Sequence, residues 1–257
     1  MLETQAGDLY DHPRYYDLVF GSDWKAEFDF LRHCFDTHAG CQVRRVFEPA
    51  CGTGRLLYRL ARVGYEVSGL DLNRRAVAYA NARLERHGFA ASCRVGDMRD
   101  FALPKPADAA FNMINSFRHL SSERAARSHL ECMERAVAVG GLYVVGLHLT
   151  PTEGQPMGEE SWSARRGHLA VATRLWTIER DARRRRERCG MACDVYTPTR
   201  SFRMVQEIDF RTYTAAQFTR LLKSVPAWEV AETYDFSYRK DRPVCIGPDT
   251  EDVVYVL

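Results

Sequence analysis

Val46-Phe-Glu-Pro-Ala-Cys-Gly-Thr-Gly-Arg55 decides how the rest of this 257-residue chain is read. An apolar run ends in it, two glycines follow, and an amphipathic helical pattern begins at Arg55. A strand that turns through glycines straight into a helix leaves unpaired backbone N–H groups aimed at one spot. Gly52 and Gly54 have no Cβ, so another molecule can lie against the main chain there. Glu48 stands just before the turn, and the next apolar run, Val67-Ser-Gly-Leu-Asp71, closes on a second acid. This is the layout of a βαβ unit that holds a nucleoside.

Working outward, the periodicity continues the same alternation. Val43–Glu48 reads as a strand and Arg55–Val63 as a helix stopped by Gly64. Glu66–Leu70 is a second strand, and Asn73 caps a helix running to about His87 before Gly88. Ser92–Val95 and Asp108–Ile114 are further strands. Ser121 and Ser122 open a helix through Val139, which Gly140-Gly141 breaks before a fifth strand at Leu142–Leu147. Strands alternating with helices imply a parallel sheet covered on both faces.

The alternation then stops. Residues 151–212 carry runs such as His168–Ile178 and Phe202–Asp209 that favour antiparallel strands, with Arg183–Arg188 at a turn between them. Thr214 opens a last helix to about Ser224, and Trp228–Phe236 and Val253–Leu257 read as closing strands. The expected organisation is an N-terminal helical lid over 1–40, a nucleoside-binding core over 41–150, an antiparallel β insertion over 151–212 covering the substrate, and closing elements of the core over 213–257.

Bulk composition excludes several partners. Lys plus Arg number 36 against 34 Asp plus Glu, so the overall field selects neither nucleic acid nor an anionic membrane. Arg183–Arg186 is offset by Glu179, Asp181 and Glu187 and carries no interleaved aromatics, as a solvated hairpin tip does. Eight scattered cysteines without a Cys-x-x-Cys pair read as reduced thiols of a cytoplasmic protein. Cys189, Cys193 and His168 do not follow zinc-ligand spacing, so no metal is expected. No signal peptide and no membrane-spanning run is expected, and a homodimer is left open.

The ligand at the glycine turn follows from charge. A dinucleotide fingerprint wants a third glycine where Leu57 stands, and the turn holds no lysine. A carboxylate at Glu48 repels phosphate and accepts a hydrogen bond from an ammonium group. S-adenosylmethionine, with an ammonium, a sulfonium, a ribose and an adenine but no phosphate, fits these demands.

At these residues the chain resembles the class I S-adenosylmethionine-dependent methyltransferases, in particular their small-molecule methyltransferase-domain branch. The resemblance covers about residues 10–150 well and the rest in outline. Glu48-Pro-Ala-Cys-Gly-Thr-Gly54 is similar to the family's first motif, which assigns Glu48, Ala50, Cys51, Gly52 and Gly54 to the cofactor. Asp71 resembles its ribose-binding acid, with Leu72 on one adenine face. Val95-Gly-Asp97-Met98 resembles the third motif, in which Asp97 takes the adenine amino group and Met98 flanks the ring. Ala138-Val-Gly-Gly141 is similar to the turn before strand five. The fold implied is a Rossmann-like, doubly wound α/β domain. Its mostly parallel seven-stranded sheet has a reversed last strand, with the β-rich insertion after strand five. Taken singly, Asp71 also reads as a helix cap and Asp97 as a loop turn.

The acceptor side is less constrained, because methyl transfer is an in-line displacement that needs alignment and exclusion of water more than any one residue type. The carboxyl end of strand four, Asn112-Met-Ile-Asn-Ser-Phe-Arg-His-Leu120, faces the ligand crevice of a doubly wound sheet. Asn115 and Ser116 are placed beside the methionine part of the donor. His119 is the candidate base or acceptor-orienting group, against a reading in which it packs under the next helix. Arg118 is assigned either to an acidic acceptor or to the surface. Tyr15-Tyr16-Asp17 resembles the branch's N-terminal lid, which puts Tyr16 beside the sulfonium and Tyr15 near the acceptor, unless these rings only anchor the lid. Trp162 and Tyr213 are further candidates for the acceptor wall. Alternatively, Trp162 belongs to ordinary sheet core.

The expected function is methyl transfer to nitrogen or oxygen of a small molecule. An NAD(P)-dependent oxidoreductase and a non-catalytic S-adenosylmethionine-binding protein are the competing classes.

Overall fold

The computed structural model describes residues 2–257. In chain order the elements are β1 (Glu3–Ala6), a short 3-10 turn (Leu9–Asp11), α1 (Pro13–Gly21), α2 (Trp24–Thr37), β2 (Arg45–Pro49), α3 (Leu57–Arg62), β3 (Glu66–Asp71), α4 (Arg74–Arg86), β4 (Cys93–Val95) and β5 (Ala107–Asn112). There follow α5 (Glu123–Ala136), β6 (Val137–His148), β7 (Glu159–Arg166), β8 (Leu169–Asp181), β9 (Arg186–Tyr196), β10 (Ser201–Arg211), α6 (Ala215–Lys223), β11 (Glu232–Tyr234) and β12 (Asp252–Val256).

The core sheet has seven strands in the order β11-β12-β6-β5-β2-β3-β4. β4, β3, β2, β5 and β6 pair in parallel, whereas β12 runs antiparallel to both of its neighbours. This is the doubly wound, mostly parallel sheet with one reversed strand that the sequence resemblance implies. The strand order turns back between β2 and β5, and that switch point opens a crevice at their carboxyl ends. Two apolar layers cover the sheet. One is built from α2, α3 and α4 on Val46, Phe111 and Val144. The other is built from α5 and α6 on Phe47, Tyr143 and Val145.

Local chemistry explains the helix limits. Asn73 caps α4 by accepting from the N–H groups of Arg75 and Ala76, and Ser122 caps α5 by accepting from that of Ala125. Thr214 and Gln217 bond reciprocally across the first turn of α6.

One boundary differs from expectation. α5 stops at Ala136, and β6 begins at once at Val137, ahead of Gly140-Gly141. The glycines lie within a strand that bulges against β5 and do not form a turn between two elements. A Cβ on Gly141 would lie 2.6 Å from the carbonyl oxygen of Asp108, so only glycine lets the two strands approach there.

The insertion forms its own five-stranded sheet, β1-β10-β9-β8-β7, antiparallel except at β1. Residues 3–6, expected as part of a helical lid, are its edge strand, with Glu3 opposite Phe202. The lid helix α1 packs Leu18 and Val19 into the same cluster as Val171, Met191 and Val195. The arginine run divides, with residues 183–185 at the hairpin turn and Arg186–Arg188 in β9. No helix among the described residues is long and apolar enough to cross a membrane.

Candidate active site

The glycine turn after β2 holds three residues in left-handed backbone conformations, Ala50 (φ 52), Gly52 (φ 51) and Gly54 (φ 62). The N–H of Cys51 bonds to the carbonyl of Leu70, and the Asp71 carboxylate accepts from the N–H groups of Gly52 and Asn73, both at 2.8 Å. Asp71 therefore fixes the turn after β2 from the end of β3. Across the switch point, the side-chain amide of Asn112 donates to the carbonyl of Pro49 at 2.8 Å and joins the ends of β5 and β2. Asn115 beyond β5 is also left-handed (φ 56). A non-glycine residue pays for such backbone in strain, and strain of this kind concentrates at functional sites.

These ends surround a cavity of about 340 Å³. Its inner half is walled by Ala50, Gly52, Asp71, Leu72, Met98, Asn115 and Ser116. Leu72 is 68% exposed at its rim, free to lie against a flat ring. A Cβ on Gly52 would stand 3.5 Å from the ring of Tyr16, so the lid tyrosine covers the turn. The outer half is walled by Phe20 of α1, by Trp162 and by Phe210 of the insertion sheet.

Glu48 and Cys51 open onto a smaller recess that shares Tyr16, Ala50, Thr53, Ile114 and Ser116 with the main cavity. Glu48 is buried, and its Oε2 has no hydrogen-bond partner among the described residues. Burial raises its pKa well above the usual carboxylate value, against the lowering pull of Arg55. Arg55 is itself held by both carboxylate oxygens of Glu27, at 2.5 and 2.6 Å. A buried acceptor without a donor is costly unless something arrives to satisfy it.

His119 reaches the cavity wall with its ring accessible from the cavity side. Its Nε2 lies 3.2 Å from the Tyr10 hydroxyl, and Phe210 packs on it at 5.0 Å between ring centres. The crowding of protein around it lowers its pKa, and Arg118 pushes in the same direction. Burial raises the pKa of Tyr10 and of Tyr16, so both stay as phenols.

Several sequence candidates lie elsewhere. Asp97 does not line the cavity; Arg99 grips its carboxylate at 2.5–3.0 Å and lowers its pKa. Gly54 packs on α4, where its Cβ would stand 3.2 Å from that of Ala80. Tyr15 faces His12 and Phe202 on the far side of the lid. Arg118, read as an acceptor contact or a surface group, is not on the surface. It is buried, bonded to Glu187 at 2.5 Å and to the carbonyl of Arg211 at 3.0 Å. Tyr213 is fully buried between Phe117 and Phe218 in the core.

Among the cavity residues that escaped the sequence reading are Tyr10, Asn73, His148 and Glu160. Tyr10 lies in the aromatic lead-in, which signalled the lid but not which ring turned inward. His148 follows the apolar run of strand five, the one signal that could have pointed to it.

The same fold recurs in known proteins. Residues 46–141 match the sequence family described as "Methyltransferase domain". The chain aligns with the crystal structure of Streptomyces venezuelae DesVI at a TM-score of 0.76 and 19% identity, covering 98% of this chain and 99% of that one. An S-adenosylmethionine-dependent methyltransferase from Clostridium acetobutylicum aligns at 0.76 and 16% identity, covering 97% and 98%. The chain thus has the fold of class I S-adenosylmethionine-dependent methyltransferases, and its residues 46–141 are similar to that methyltransferase-domain family.

Among curated relatives, an N,N-dimethyltransferase of dTDP-3-amino-3,4,6-trideoxy-alpha-D-glucopyranose from Streptomyces venezuelae is 27% identical over 138 residues, 52% of this chain and 56% of the relative. One for dTDP-3-amino-3,6-dideoxy-alpha-D-glucopyranose from Streptomyces fradiae is 32% identical over 133 residues, 51% and 50%. The matched segment spans about half the length of these relatives.

Proposed function

We propose that this protein transfers a methyl group from S-adenosylmethionine to nitrogen of a small-molecule acceptor. The observation that carries the reading is the buried, unpartnered Oε2 of Glu48 beside the Asp71-anchored turn. That oxygen suits an ammonium donor and opposes a phosphate. Gly52 and the ring of Tyr16 leave a slot for the flat remainder of the ligand. The residues present therefore fit S-adenosylmethionine. Glu48 serves its ammonium end, Asp71 its ribose hydroxyls, and Leu72 and Met98 its adenine.

When bound, that molecule supplies a methyl group already activated on a sulfonium. The chain's own contribution is positioning. Tyr16 turns an electron-rich ring toward a cationic centre. α1 and the insertion sheet exclude water. His119, neutral and held by Tyr10, orients the acceptor. Nitrogen is favoured over oxygen because the curated relatives above are N,N-dimethyltransferases.

A dinucleotide reading finds little support. No lysine or arginine lines the cavity among the described residues, and Leu57, where a third glycine would stand, is fully buried in the core. Isothermal titration with S-adenosylmethionine, S-adenosylhomocysteine and NAD tests the choice. The first two are expected to bind and NAD to give no heat. Tight NAD binding overturns the reading. A protein that binds the donor and methylates none of a panel of amines and phenols is a scaffold.

A further inference from the structure

His148 sits at the carboxyl end of β6 on the wall of the cavity, beyond the residues proposed to hold the donor. Its Nδ1 lies 2.6 Å from Oδ1 of Asp252, at the start of β12. A carboxylate can only accept, so Nδ1 carries the proton, and in the neutral ring it is Nε2 that holds the free lone pair. The backbone N–H of His148 donates to the side-chain oxygen of Asn115 at 3.0 Å, which pins the residue to the switch point. Phe236 packs edge-on against the ring at 5.1 Å. Glu160 of β7 lines the same cavity and has no ion-pair partner among the described residues.

The other charged groups in the adjoining recess are already engaged. Arg118 and Arg180 both bind Glu187, Glu159 binds Arg174, and Glu251 accepts from the N–H of Met157. Phosphate entering the cavity therefore meets one free carboxylate and no free guanidinium. The remaining wall is apolar, formed by Phe20, Trp162, Leu175, Met191, Ile208 and Phe210.

We propose that the outer half of the cavity is a subsite for an apolar, unphosphorylated amine, with Glu160 holding its ammonium form and His148, oriented by Asp252, removing the proton that blocks methylation. This rests on the methyl-transfer reading above and deepens it. Nε2 of His148 takes one proton from the ammonium and becomes imidazolium. The freed nitrogen lone pair forms the N–C bond as the methyl C–S bond breaks, and its electron pair leaves on sulfur. The positive charge passes from sulfur to the methylated nitrogen. Asp252 is 38% exposed and stabilises the imidazolium until its proton returns to water. His119 is the poorer proton acceptor, since it faces a phenol and stands next to Arg118.

The test uses the full chain with phenethylamine as probe. 2-Phenylethanol and a dTDP-amino sugar serve as comparison acceptors. Methylation of phenethylamine alone is expected. His148→Gln should lower kcat about 100-fold, a typical general-base effect. Its rate should then rise about tenfold per pH unit below the pKa of the amine, as free base becomes available without the imidazole. Asp252→Asn should lie between His148→Gln and the parent. Glu160→Gln should weaken phenethylamine binding, measured by titration in the presence of S-adenosylhomocysteine, by about tenfold. Donor affinity, titrated separately, should stay unchanged in all three variants; a parent protein that fails to bind the donor defeats the broader reading instead. A wild-type kcat and pH profile in His148→Gln, or methylation of the dTDP-amino sugar and not of phenethylamine, overturns this proposal.

Discussion

Asp71 and Gly52 are joined by a 2.8 Å hydrogen bond from the glycine N–H to Oδ2 of the carboxylate, so the acid assigned to the ribose also shapes the turn beneath it. Burial raises the Asp71 pKa, and the N–H groups of Asn73 and Gly52 pull it back. Asp71→Ala should therefore weaken S-adenosylmethionine binding by about 1.5–3 kcal/mol, the value of a hydrogen bond to a charged group. That is roughly tenfold to more than a hundredfold in Kd, read by titration calorimetry. Unchanged affinity would remove Asp71 from the site.

Glu48 predicts a linkage between cofactor and protons. Its raised pKa means that the folded protein holds this proton more tightly than the unfolded chain. Stability contributed by the protonated form is present in the ordinary carboxylate range and is lost as pH rises toward the raised value. An incoming ammonium reverses the preference, so binding should release a proton. Calorimetry in two buffers of different ionisation enthalpy should detect it, and Glu48→Gln should abolish it.

The buried pair of Arg118 and Glu187 bridges the turn after β5 to β9 of the insertion. Glu187 also accepts from Thr177 at 2.7 Å and binds Arg180. Glu187→Ala leaves a buried guanidinium uncompensated and should cost about 3–5 kcal/mol. Urea denaturation measures this. Removing both partners together should cost less than the sum of the two single changes.

His129 is fully buried, bonded to the carbonyl of Met98 and to the Tyr143 hydroxyl, both at 2.9 Å. Burial pushes its pKa from 6.5 down to about 4. The unfolded chain takes up that proton first, so stability should fall as pH drops from 6.5 toward 4. The slope contributed is at most about 1.4 kcal/mol per pH unit. Denaturation midpoints at pH 7 and pH 5 should draw closer together in His129→Gln.

The core was legible because its signals are local. Gly52, Asp71 and the cap at Asn73 lie within 22 residues of one another and act through backbone that they themselves shape. The outer cavity was not, because its pairs are assembled by tertiary contacts. His148 and Asp252 stand 104 residues apart, and Tyr10 and His119 stand 109 apart. No periodicity marks such pairs. Arg118 and Tyr213 show the opposite error, since both carry polar groups that suggested a pocket. Arg118 instead found a buried partner in Glu187. Tyr213 keeps its hydroxyl buried without one among the described residues, surrounded by aromatic rings of the core. β1 was missed because four residues are too short a run to show alternation.

The pairing of Glu3 with Phe202 ties an early strand to one that is translated far later. Tyr10 and Tyr16 hang from that strand, and it has nothing to dock on until β10 has left the ribosome. Closing so distant a contact is slow, because chain entropy is lost before any stabilising contact forms. The nascent chain therefore carries its first motif long before it carries a roof.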